Sequence, residues 1–132
     1  MYFNRLIVCG KVIKAPSVLT SKNGRNFVGT RIRVRRGVKK NGAYDYFNLN
    51  AFGEVGNTML EKVKVDDFIC ATGMVSATAF ISGDGKAMPT MSVIVAKWEP
   101  DPTGVYMREA EAAYANGGED VEMEDVNEEV LF

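Results

Sequence analysis

Histidine is missing from this 132-residue sequence, and cysteine occurs only at Cys9 and Cys70. The first absence removes the commonest general base, proton shuttle and metal ligand. Two cysteines in separate apolar segments form no zinc cluster, and they read as buried structural thiols rather than as a disulfide or a reactive centre. No apolar run approaches the ~20 residues of a bilayer-spanning helix, and no secretory-signal pattern opens the chain. Gly24, Gly42, Gly83 and Gly85 mark turns and lie in no phosphate-loop or dinucleotide spacing. Asp66-Asp67 reads as a turn before a strand rather than as a catalytic pair. Together these absences favour a cytoplasmic binding module over an enzyme, with no catalytic residues, no cofactor, no metal and no membrane partner.

What is present is a split of charge. Through Pro100 there are 15 basic and 7 acidic residues, a balance of +8. From Asp101 onward Arg108 stands against 10 acids, a balance of −9. A basic body suits a polyanionic partner, and a like-charge terminal block reads as an interaction tail. The tail ends on Glu128, Glu129, Val130, Leu131 and Phe132, and exposed apolar residues are common anchors of a recognition peptide.

Along the body, apolar residues alternate or run in short β-rich stretches separated by turn residues. Strands are expected over 3–13, 27–35, 44–52, 68–81 and 88–98. Val55, Met59, Leu60 and Val63 fall at helical spacing, so a short helix is expected over 54–63. Three strands, a helix and two strands in about 100 residues match the five-stranded OB barrel, an all-β fold. The expected organisation is an OB domain over 1–100, a short helix-prone linker over 101–118 and a disordered acidic tail over 119–132. Within the linker, residues 105–115 carry good helix propensity but are short for an isolated helix.

The third strand sorts by period two into a core set, Phe47, Leu49 and Ala51, and an outer set, Tyr44, Tyr46, Asn48, Asn50 and Phe52. Rings interleaved with amides on an outward face suit single-stranded nucleic acid, whose unpaired bases stack on them. The competing reading is that Tyr44 and Phe52 cover a neighbouring strand or a subunit interface. Arg31, Arg33 and Arg35 share the outer phase of the second strand, followed by Arg36, Lys39 and Lys40. If that strand pairs with the third, phosphate attraction and stacking share one surface. Phe80, in the outer phase of the fourth strand, is a further ring candidate, against a role as hairpin cap. Trp98 reads as barrel-closing core.

These motifs resemble the bacterial and phage single-stranded DNA-binding protein (SSB) family. The resemblance covers about residues 3–98 and the last few residues. It is carried by the run from Asn4 to Val12, by Asn23-Gly24, by the run from Tyr46 to Gly53 that ends in Phe-Gly, and by Val65 to Ile69 with Thr72-Gly73. It implies base stacking at Tyr46, Phe52 and Phe80, with Tyr44 a further candidate, and partner recruitment through an acidic tail ending in Phe. The tip here lacks the proline usual in bacterial members, and the linker is shorter and more helix-prone than theirs. Those departures point to a phage or mobile-element member.

The function implied is coating single-stranded DNA without sequence preference, in replication, recombination or repair, inside a bacterial cell or a phage-infected host. Partners would be single-stranded DNA, replication and repair proteins, and further copies of the chain in a dimer or tetramer. The alternatives are an OB-fold recruitment adaptor and an RNA-binding module.

Overall fold

The computed structural model describes residues 2–36 and 43–101, the side chain of Phe80 excepted. Five strands and one helix follow in the expected order. They are β1 (Leu6–Thr20), β2 (Asn26–Arg35), β3 (Tyr44–Ala51), α1 (Gly53–Lys62), β4 (Phe68–Ile81) and β5 (Ala87–Pro100). The strands close into a barrel in the order β1-β2-β3-β5-β4, the OB fold. All pairings are antiparallel except β3 with β5, where Asn48 lies beside Ser92 and Asn50 beside Ile94.

β1 runs seven residues past the expected end at Ile13. Its first half pairs with β4 and its second half with β2, so one long strand serves two neighbours. Pro16 falls within the register shift between Lys14 and Ser17, where the ladder is already interrupted and no amide donor is required. Beside that shift the Thr30 hydroxyl donates to the Lys14 carbonyl at 2.5 Å. At the register shift between β4 and β5, Gly73 admits no side chain. A Cβ there would overlap the Ile94 carbonyl oxygen across the ladder.

Inward residues of the strands, Val8, Val12, Val28, Ile32, Leu49, Ile69, Ala71, Val93 and Val95 among them, form one core. Met59 of α1 is fully buried against it. The helix is tied to β5 as well, because the Trp98 indole N–H donates to the Thr58 hydroxyl at 3.0 Å and the ring packs on the core. The expected core role of Trp98 is therefore observed.

The expectation of two free buried thiols is corrected. Cys9 and Cys70 stand directly opposite each other on β1 and β4 and are joined in a disulfide. Both belong to the outer phase of their strands, between core residues Val8 and Gly10 on one side and Ile69 and Ala71 on the other. Sixty-one residues separate them in sequence, and only the strand register brings them together.

Candidate nucleic-acid interface

β2 and β3 pair without a break from Val28↔Ala51 to Arg35↔Tyr44, so their outer phases form one surface. Alternation on β3 is as the sequence indicates. Leu49 and Ala51 are fully buried and Phe47 packs on the core, whereas Tyr44 and Tyr46 are 39% and 45% exposed. Asn48, Asn50 and Phe52 are half-buried on the same outward side. Phe52 is extended (φ −105°, ψ 155°) and precedes the first turn of α1, so the strand's outer phase continues to the helix start.

The arginines lie on the rings. The Arg33 guanidinium carbon is 4.5 Å from the centroid of Tyr44, and that of Arg31 is 4.9 Å from Tyr46. These are cation–π distances. Both pairs are diagonal across the ladder, since Arg33 is in register with Tyr46 and Arg31 with Asn48. At the far end Arg25 lies 4.4 Å over Phe52, and Phe27 meets the same ring at 5.3 Å with planes tilted by 35°.

Arg25 and Phe27 were not among the expected site residues. Phe27 shares the outer phase with Arg31, Arg33 and Arg35, so period-two counting back along β2 would have placed it on this face. Arg25 leaves no such signal. It sits outside the strand, where the Ser21–Gly24 turn folds back and the Ser21 amide donates to the Arg25 carbonyl at 2.8 Å.

The other expected residues divide. Arg35 is in register with Tyr44 at the rim of the sheet. Arg36 is held by Asp45, with nitrogen–oxygen distances of 3.1 and 2.6 Å, so its charge is already partnered. The backbone of Phe80 lies in the β4–β5 arm opposite Met88, and its side chain is outside the described residues. Lys39, Lys40, the expected helix over 105–115 and the tail residues Glu128, Glu129, Val130, Leu131 and Phe132 are also outside them. Among the described residues no group of three or more His, Cys, Asp or Glu side chains could hold a metal ion.

Chemically the surface offers flat apolar rings, fixed positive charge directly above them and amides between them. That combination suits unpaired bases joined by phosphates.

Among curated proteins no sequence matches this chain. A solved structure, the crystal structure of small single-stranded DNA-binding protein from Streptomyces coelicolor, superposes with a TM-score of 0.65 at 15% identity. The superposition covers 76% of this chain and 96% of that one, and at this identity it speaks for the fold alone. The model of the Single-strand binding protein family matches residues 3–100. Because that match takes in the whole barrel and well over half of the sequence, the chain belongs to the single-strand binding protein family.

Proposed function

We infer that the chain binds and protects single-stranded DNA without sequence preference. The observation that carries this reading is the set of three guanidinium–ring pairs on one barrel face, Arg33 on Tyr44, Arg31 on Tyr46 and Arg25 on Phe52. In the free protein each guanidinium covers a stacking surface. A base arriving on the ring displaces it or inserts beside it, and the released arginine meets the phosphate that came with the base. The positive charge thus shields the apolar ring in the absence of ligand and neutralises the backbone in its presence. Tyr46 and Phe52 carry the stacking, with Tyr44, Phe27 and Phe80 extending it. Arg31, Arg33 and Arg35 supply the phosphate contacts, joined by Lys39, Lys40 and, once freed from Asp45, Arg36. No step of this requires a catalytic residue.

The domain is residues 1–100, followed by a linker over 101–118 and a tail over 119–132. The acidic tail with its Val-Leu-Phe tip recruits replication, recombination or repair proteins, and its composition supports this. Self-association into a dimer or tetramer is supported by the outer face of β1, β4 and β5, where Ile7, Met74 and Ile94 are 63%, 52% and 44% exposed. The setting is the cytoplasm of a bacterial cell or of a phage-infected host.

Titration of oligo-dT at several salt concentrations tests the reading. Affinity should fall linearly in log–log form, with a slope of about −0.7 per neutralised phosphate. No binding at micromolar protein and physiological salt would instead favour a recruitment adaptor. Tighter binding of a matched RNA would favour an RNA module.

A further inference from the structure

Between the two ring platforms lies a recess that stacking does not use. Tyr46 on β3 and Phe52 just past its end are six residues apart in extended chain, about 20 Å at a strand rise of ~3.3 Å per residue. That span exceeds the separation of two adjacent stacked bases, ~3.4 Å in a duplex strand. A strand bridging the platforms must therefore place at least one nucleotide over the middle of β3, where that strand itself presents amides rather than rings. The outward residues there are Asn48 and Asn50.

A recess of about 300 Å³ opens at this point, lined by Asn48, Asn50, Arg31 and Lys14, with Phe27 and Leu19 as its apolar wall. Its size is at the lower end of small-ligand pockets, which run from about 300 to 1,000 Å³. Gly29 is in register with Asn50, and the Leu19 side chain takes the place that a Cβ on Gly29 would need, walling the recess beside the amide. The Asn48 amide nitrogen donates to the Thr90 hydroxyl at 3.0 Å, which fixes that side chain and leaves its carbonyl oxygen for a ligand. The half-buried Asn50 amide makes no hydrogen bond with any described residue. It presents one acceptor and two donors.

We propose that this recess receives the Watson–Crick edge of one unstacked base, and that thymine fits it best. Thymine shows an N–H flanked by two carbonyl oxygens. The amide oxygen of Asn50 accepts from the N–H, while its amide nitrogen and the Lys14 cation donate to the carbonyls. Adenine, with a donor and a single ring acceptor on that edge, leaves one of these donors unmatched. The site gives the surface a base preference at one position in an otherwise indifferent strand. The proposal rests on the single-stranded DNA reading above and adds edge recognition to it.

The test compares full-length wild-type protein and Asn50→Ala on two oligomers, oligo-dT and the same length built from N3-methylthymidine. Methylation keeps the ring, the backbone and the charge but removes the N–H and crowds the edge, and it does so in every register of binding. The expected result is about tenfold weaker binding of the methylated oligomer by wild type, about 1.4 kcal/mol, and near-equal binding of both by Asn50→Ala. Equal affinities in wild type overturn the proposal. A methylation penalty that survives in Asn50→Ala also overturns it, because the methyl group is then felt at the rings. Failure of wild type to bind either oligomer sinks the DNA-binding reading itself, a distinguishable outcome.

Discussion

At the scale of single residues, the proposed binding face is a set of pairs, and each pair predicts two separable effects. Removing a ring removes stacking, at about 1–3 kcal/mol per base. Tyr46→Ala should therefore weaken oligo-dT binding by roughly that amount and reduce the tyrosine quenching that accompanies it. Unchanged affinity in both Tyr46→Ala and Phe80→Ala would remove the stacking assignment. Removing the arginine from a pair should act on the salt dependence instead. Arg31→Ala with Arg33→Ala should flatten the log–log slope by about 1.4, twice the ~0.7 of a single phosphate contact. Salt titration of the double variant checks this, and an unaltered slope would mean that neither arginine meets a phosphate. Tyr44, Tyr46, Phe52, Arg31 and Arg33 were readable from period two because both strands are regular here. Phe27 was readable by the same count. The pairing of Arg25 with Phe52 was not, since a turn delivers the arginine and turn geometry has no period to count.

Among the elements, the sequence marked every strand and the helix, and it erred where one element serves two partners. Pro16 looks like a terminator because a proline inside a ladder loses a donor. In β1 it stands at a register shift, and the strand continues to Thr20. Pro89 is accommodated similarly, in the part of β5 before Met91 where β4 is its only described neighbour. The start of the β1–β4 seam also carries a pairing invisible to alternation. The Asn4 amide donates to the Val75 carbonyl at 2.7 Å and accepts from its N–H at 3.0 Å, so a side chain extends the ladder past Leu6. Further along the same seam, the Cys9–Cys70 bond closes a long loop. Chain-entropy reasoning gives about 4 kcal/mol for a 61-residue loop and measured disulfides typically give ~2–4. A reducing cytoplasm would hold the pair as thiols. Thermal unfolding with and without reductant should therefore differ by on the order of 10 °C, the reduced protein melting lower. Coincident transitions would show that the bond adds nothing to the seam. Oligo-dT affinity should be unaffected, because Tyr44, Tyr46, Phe27 and Phe52 lie on or beside β2 and β3, and Phe80 is ten residues along β4 from Cys70.

For the whole molecule, the divided charge sets up an intramolecular competition. The tail has the sign of a nucleic-acid backbone, and it is tethered to a face built to attract that sign. We propose that the tail occupies the arginine face when DNA is absent. Bound DNA then releases it and frees Val130, Leu131 and Phe132 for partners. A truncation that tests this must end after Asp101 rather than at Pro100. Asp101 is only 4% exposed, and its amide donates to the Phe68 carbonyl at 2.7 Å, so cutting before it would open the start of β4. At low salt the truncated chain should bind oligo-dT several-fold more tightly than the full chain. The advantage should shrink as salt rises, because the screening length falls from about 10 Å at 0.1 M to about 3 Å at 1 M. Light scattering on both chains must accompany the titration, since a change in subunit number would alter apparent affinity through linked sites rather than through the tail. Equal low-salt affinities at equal mass would end the competition model while leaving the tip free to serve as a docking peptide. A gap that persists undiminished at high salt would mean that the apolar tip, rather than the acids, holds the tail on the barrel.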